Sequence, residues 1–262
     1  MLEQEHAARY LAVASDAAHR AGAILRENLA GPRQVTYKGE INLVTEIDRL
    51  SEQTVVSVLL EAFPHHGILA EEDARIENSS GYLWIIDPLD GTTNYAHGYP
   101  SFSVSIGLEQ AGEVVLGVVY DPMRDELFAA QRGKGATLNG RRIGVSRCEL
   151  LIRSLLATGF PYDRATSPQN NLDHFNTLIM VSQEIRRSGS ASLDLCAVAA
   201  GRLDGYWELK LQPWDVAAGS LIVREAGGKV SDLSGTRFSI RDPQIVASNG
   251  AIHDQMLAIL NR

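Results

Sequence analysis

Tyr10, Leu11, Ala14, Ala17, Ala18, Ala21 and Leu25 recur at intervals of three and four residues, so the first thirty residues predict one amphipathic helix ending before Gly31-Pro32. A second helix is expected from a Thr45 cap through Leu50, Val55, Val58 and Leu59 to Phe63, where Pro64 stops it; Asp48 falls in its first turn. The period then changes. Residues 82–86 form a compact apolar run suited to a buried strand, and Pro88, which has no N–H to give to a central ladder, is expected to leave Asp87 at the strand end. Residues 102–108, 114–120 and 126–130 read as an antiparallel meander, with Asn139-Gly140 predicting one more hairpin. Beyond Arg153 the elements alternate again: strands at 154–158, 205–208 and 244–248, and helices at 171–182, 191–200 and 214–226. The pattern as a whole predicts a layered α/β chain, a single unit over residues 1–262 with a soft boundary near residue 150.

Composition narrows the functional classes. A net charge of −8 argues against a general surface for nucleic acid or anionic membrane, so an anionic substrate needs a local cation. The adjacent pairs Arg141-Arg142 and Arg186-Arg187 read as solvated faces or ion-pair partners. Cys148 and Cys196 have no metal-ligand spacing and are expected to be reduced, buried thiols, while His65-His66 after Pro64 is expected in an exposed loop. No apolar run approaches the ~20 residues of a membrane span, and the N-terminus has no basic segment followed by an apolar core, so a cytoplasmic location is expected. Gly133-Lys134-Gly135 lacks phosphate-loop spacing, because Phe128 stands where the first glycine would be, and reads as a turn.

The chemistry concentrates in Trp84-Ile85-Ile86-Asp87-Pro88-Leu89-Asp90-Gly91-Thr92-Thr93-Asn94. A tight turn at Gly91 leading into a helix offers backbone N–H groups without internal partners, which favour an anion such as phosphate. Asp87 and Asp90 sit beside that turn; two like charges about 4 Å apart repel by roughly 4 kcal/mol at a protein-like dielectric, which a divalent cation would relieve. Taken singly, Asp90 could be a helix cap, Asp87 a turn residue, Glu71-Glu72 an exposed acidic turn and Trp214-Asp215 a core tryptophan beside a cap. Their occurrence together, in this order, points instead to a metal and phosphate site.

As a set, Lys38, Asn42-Leu43-Val44-Thr45, Ala70-Glu71-Glu72, the D-P-L-D-G-T-T-N run and Pro213-Trp214-Asp215 resemble the inositol monophosphatase family over nearly the whole chain. The resemblance implies a layered α-β-α-β-α sandwich of the sugar-phosphatase type with mixed sheets, usually a homodimer, that hydrolyses small phosphate monoesters with Mg²⁺ and is often inhibited by Li⁺. It implies two or three Mg²⁺ ions: one held by Glu71, Asp87 and the Leu89 carbonyl, another by Asp87, Asp90 and Asp215, with Glu71 also touching a third. Thr92 and Asp48, together with Glu71, would serve the attacking water, while the Gly91 and Thr92 amides would receive phosphate. Asp90, Gly189, Ser190, Ala191, Glu208 and Asp215 would face the organic part of the substrate, and Lys38 would approach the phosphate or the outer metal. The leading expectation is hydrolysis of myo-inositol 1-phosphate, a small phosphorylated polyol. Alternatives are the same chemistry on fructose 1,6-bisphosphate, histidinol phosphate or a nucleotide 3′-phosphate, or a regulatory binding protein with secondary phosphatase activity.

Overall fold

In the computed structural model, which describes residues 2–31, 35–37, 43–77 and 79–261, the change of period along the chain becomes a stack of five layers. The outer layer is α1 (Leu2–Asn28) and, after the hairpin β1 (Val35–Tyr37) and β2 (Leu43–Thr45), α2 (Glu46–Ala62). Ala14, Ala17, Ala18, Ala21 and Leu25 of α1 are wholly buried, as their spacing predicts. Lys38 and Asn42 lie outside the described residues, as does the side chain of Thr45.

The second layer is an eight-stranded sheet. It holds β3 (Gly67–Ala70), β4 (Arg75–Ile76), β5 (Tyr82–Asp90), β6 (Ser103–Gln110), β7 (Glu113–Asp121), β8 (Glu126–Gln131), β9 (Gly135–Leu138) and β10 (Arg141–Arg142), with the single turn α3 (Thr92–Ala96) between β5 and β6. Its order is β10-β9-β8-β7-β6-β5-β3-β4, antiparallel except where β3 runs parallel to β5. Asn139 and Gly140, at φ 49° and 75°, make the predicted two-residue hairpin turn.

The second sheet comprises β11 (Leu155–Thr158), β12 (Glu184–Arg186), β13 (Gly205–Leu209), β14 (Lys229–Ser231) and β15 (Gln244–Ser248), in the order β12-β11-β13-β15-β14. Four helices accompany it: α4 (Leu172–Ile179), α5 (Ala191–Ala199), α6 (Pro213–Glu225) and α7 (His253–Leu260). Helices α5 and α6 lie between the two sheets and are apolar on nearly every side, whereas α4 and α7 cover the outer face of the second sheet around Trp207, Val246 and Met256. Two glycines set how closely α6 meets the first sheet. A Cβ at Gly117 would stand 2.7 Å from the Ala218 carbonyl, and one at Gly107 2.9 Å from the Ala217 methyl. Among the described residues no helix is long and apolar enough to cross a membrane.

Several expectations need correction. The strand at 82–86 continues through Pro88 to Asp90, because the ladder with β6 shifts register between Asp87 and Asp90 and the proline occupies the irregularity, where no N–H is required. His66 is buried rather than exposed: its ring stacks on Phe63 at 4.9 Å and on Tyr82 at 4.9 Å. Cys148 is partly exposed, whereas Cys196 is buried, and both are free thiols. The helix expected over 171–182 closes at Ile179, and α7 went unread.

Candidate active site

The strand ends β3 and β5 point into a cleft of about 1070 Å³ lined by Glu71, Asp87, Leu89, Asp90, Gly91, Thr92, Gly189, Ser190, Ala191, Glu208 and Asp215. The structure therefore brings together eleven of the thirteen residues singled out by role in the sequence; Lys38 lies outside the described residues. Asp48 is 1% exposed in the first turn of α2 and does not line the cleft. One turn on, Ser51 Oγ donates to the Pro88 carbonyl at 2.7 Å, which places that face of α2 against the β5 irregularity.

Each acid is presented by a different local device. Asp87 is 2% exposed and its Oδ1 accepts the Leu89 N–H at 3.0 Å, closing the turn around Pro88. Asp90 lies opposite Ser103 of β6 and receives Ser190 Oγ at 2.7 Å, Ser192 N at 2.7 Å and Ser192 Oγ at 2.6 Å on Oδ2, with Ala191 N at 3.3 Å from Oδ1. Asp215 stands at the third position of α6, where its Oδ2 accepts the Gln212 N–H at 2.6 Å in a capping box. Glu71 follows β3, and its own N–H donates to the Ile86 carbonyl at 3.2 Å.

Burial and mutual repulsion dominate the electrostatics of these acids. Burial pushes the Asp87 carboxyl well above its ordinary range, and Glu71, Asp90 and Asp215 push it further. Asp215 is raised by burial and by Asp90, Glu71 and Glu208; Asp90 is raised by burial, against the pull of its serine and amide donors. Among the described residues no three acid, histidine or cysteine side chains are already drawn together as a metal-holding group. The donor chemistry nevertheless suits a hard divalent cation: all the groups are oxygens, among the described residues no positive charge lowers Asp87, and the carboxylates of Asp87, Asp90 and Asp215 are each anchored by a backbone N–H.

The turn beside the acids is built on Gly91, at φ 100°, where a Cβ would sit 3.0 Å from the Ser101 carbonyl. Thr92 opens α3, so its N–H has no helical acceptor, and its hydroxyl donates to the Leu89 carbonyl at 3.1 Å. Gly189, at φ 89°, would bring a Cβ within 2.8 Å of Asn94 Nδ2; that amide bridges the Ser101 carbonyl at 2.7 Å and the Ser188 carbonyl at 2.8 Å. Opposite the acids, Tyr206 Oη donates to Glu208 Oε2 at 2.5 Å, and burial raises Glu208 to about 7 against the pull of Tyr206 and Arg187.

Four residues were missed in the sequence. Glu52, buried on the same face of α2 as Asp48, accepts the N–H groups of Glu72, Asp73 and Ala74, each at 2.9 Å, and so clamps the turn after Glu71. Its spacing of four from Asp48 was the available signal. Asp194, 5% exposed on α5, lines the cleft and accepts Ser188 Oγ at 2.7 Å. Gly159 makes room for Glu208, since a Cβ there would lie 2.1 Å from either carboxylate oxygen. Lys210 Nζ reaches Asp163 Oδ2 at 2.6 Å and Ser167 Oγ at 2.7 Å, tying the loop after β11 to the loop before α6. No local pattern announces the last three.

Residues 6–262 match the model of the Inositol monophosphatase family. The chain is 46% identical over 249 residues to the inositol-1-monophosphatase of Synechocystis sp., covering 94% of this chain and 87% of that protein. It is 49% identical over 220 residues to the Nus factor SuhB of Pseudomonas aeruginosa, covering 82% of this chain and 81% of that one. The solved inositol monophosphatase of Anabaena (Nostoc) sp. superimposes with a TM-score of 0.88 at 47% identity, covering 97% of this chain and 95% of that chain.

Proposed function

We propose that this chain, which belongs to the inositol monophosphatase family, hydrolyses a small phosphorylated polyol, foremost myo-inositol 1-phosphate, with Mg²⁺ and a water nucleophile. Membership makes it a phosphoric monoester hydrolase. The observation that carries the finer reading is the convergence of Glu71, Asp87, Asp90 and Asp215 with the Gly91-Thr92 turn and Glu208 in one cleft.

In this reading Glu71, Asp87 and the Leu89 carbonyl hold one Mg²⁺, and Asp87, Asp90 and Asp215 hold a second. Bound Mg²⁺ supplies a lowered pKa for the attacking water and neutralises charge on the leaving oxygen. The Gly91 and Thr92 N–H groups receive the phosphate oxygens and fix the phosphorus for in-line attack. Thr92 Oγ1, whose hydrogen is committed to the Leu89 carbonyl, turns a lone pair to the attacking water and orients it; the family resemblance assigns Asp48 a part in taking that water's proton, from a position outside the cleft lining. Glu208 and Asp215 accept hydroxyls of the polyol beside the ester. Positioning and charge neutralisation suffice for phosphoryl transfer, so no covalent nucleophile is invoked.

The test is phosphate release from inositol 1-phosphate, fructose 1,6-bisphosphate, histidinol phosphate and adenosine 3′,5′-bisphosphate, with and without Mg²⁺. Mg²⁺-dependent preference for inositol 1-phosphate is expected; preference for another ester replaces the substrate and keeps the chemistry. The relative named Nus factor SuhB supports a second reading, in which the chain also acts as a regulatory binding protein. A wild-type protein inactive on every ester yet retaining a specific macromolecular partner would favour that reading. A homodimer, as usual in the family, is part of the proposal and is checked by light scattering.

A further inference from the structure

Asp90 is held unlike the other acids of the cleft. Its Oδ2 receives three donors, Ser190 Oγ at 2.7 Å, Ser192 N at 2.7 Å and Ser192 Oγ at 2.6 Å, whereas Oδ1 has one long contact, Ala191 N at 3.3 Å. With three donors around Oδ2 a cation has no approach to it, and Oδ1 is the atom left for a cation; withdrawing one of the three reopens an approach to Oδ2. Ser192 has a single hydroxyl hydrogen, and that hydrogen is directed at Asp90. The contact between Ser103 Oγ and Ser192 Oγ, at 2.7 Å, must therefore run with Ser103 as donor. Both serines are 0% exposed, and Ser103 stands opposite Asp90 in the β5–β6 register. The result is a one-way chain, Ser103 to Ser192 to Asp90, with no solvent to reverse it.

The Ser192 hydroxyl stands in the first turn of α5, where the carbonyls three and four residues back precede the helix, so it does not close on its own helix. It instead adds a third donor to an oxygen that already has two.

We infer that Ser192, backed by Ser103, is a positioning residue that keeps Asp90 a one-oxygen ligand and thereby favours Mg²⁺ over Ca²⁺. The inference rests on the proposed metal site and goes beyond it to the selectivity of that site. Mg²⁺ demands six compact oxygen ligands and retains waters, whereas Ca²⁺ takes six to eight and readily accepts both oxygens of one carboxylate. Filling Oδ2 denies Ca²⁺ that second contact and holds Oδ1 in place for the smaller ion.

The experiment is calorimetric titration of the metal-free wild-type protein, Ser192→Ala and Ser103→Ala with MgCl₂ and with CaCl₂, alongside circular dichroism. Ser192→Ala is expected to lower the ratio of Mg²⁺ to Ca²⁺ affinity by about tenfold, in the range typical of groups that support a metal ligand. Ser103→Ala, which loosens the Ser192 hydroxyl without removing it, is expected to shift the ratio the same way by a smaller factor. An unchanged ratio, or an equal loss for both ions as a packing defect would give, overturns the inference and leaves the phosphatase reading intact. Wild-type protein with no saturable response to either ion overturns both. Should Ser192→Ala fail to fold, an unchanged ratio in Ser103→Ala is sufficient to reject the role.

Discussion

The two walls of the cleft are made in different ways. One wall, from Glu71 to Asn94, comes from two neighbouring parallel strand ends and the turn that follows, so its acids and amides lie close along the chain. The other is gathered from three separated stretches, residues 160–164, 187–194 and 208–215, brought together by the second sheet and the helices α5 and α6. The first wall concentrates negative charge, while the second supplies donors to it, Ser190 and Ser192 to Asp90; Asn94 Nδ2 of the first wall donates in return to the Ser188 carbonyl of the second. Charge is thus placed by one local motif and made bearable by long-range contacts.

Breaking the first wall has the largest expected effect. Asp87→Asn should lower kcat/KM on inositol 1-phosphate by on the order of 10²–10³-fold, comparable to removing a principal electrostatic group from a site, and should weaken Mg²⁺ binding. Full activity in a folded Asp87→Asn protein would remove Asp87 from the metal site. Because Asp87 is forced up by burial and by its acidic neighbours, the same change should raise the melting temperature of the metal-free protein at pH 8.

The second wall should respond more gently and more selectively. Glu208→Gln is expected to lower kcat/KM about tenfold for inositol 1-phosphate while leaving a simple aryl phosphate within about twofold, since a polyol contact is lost and no metal ligand is touched. Gly159→Ala, whose new methyl meets the Glu208 carboxylate, should show the same selectivity, chiefly through KM. Equal losses on both substrates in either variant would argue against a hydroxyl-reading role. Glu208 also carries a pH signature. Its folded pKa of about 7 exceeds the ordinary 4.5, so between those values the folded state holds a proton that the unfolded chain has released. Stability therefore falls as pH rises through that window, and Glu208→Gln should raise the melting temperature of metal-free protein at pH 8 but not at pH 4.5, by about 2–4 °C per kcal/mol recovered.

The smallest expected changes concern the supports. Glu52→Gln replaces a carboxylate accepting three N–H groups by an amide that must turn an NH₂ toward one of them, and should cost about 1–3 kcal/mol in denaturant unfolding. Away from the cleft, burial lowers His66 and His174 and brings His253 down to about 4. For these the unfolded state binds the extra proton, so their contribution is lost as pH falls from about 6.5 toward 4. Melting curves of His253→Asn, flatter than wild type across that range, would check the assignment.

How much was legible follows from how far each interaction reaches along the chain. The period of α1, the meander from β6 to β8, the Asn139-Gly140 turn and the acids around Pro88 all express contacts within a few residues, and these were read nearly residue by residue. Pro88 itself was misread as the end of the strand, because whether a proline sits in a ladder or in a register shift depends on the partner strand. His66 looked like a loop residue because the rings of Phe63 and Tyr82 that enclose it become its neighbours only on folding.

The amino-acid order by itself determined the layered α/β class, the motifs that carry Glu71, Asp87 and Asp90, the glycine turn beside them and the kinship of the chain, since period, turn chemistry and motif spacing are local properties. Only the tertiary structure decided that Glu52 would clamp the acidic turn, that Gly159 would clear a place for Glu208, and that Ser103 and Ser192 would meet beneath Asp90. The last pair is separated by 89 positions in the chain and joined at 2.7 Å. Proximity of that kind comes from packing two sheets around α5 and α6, and no local pattern of residues encodes it.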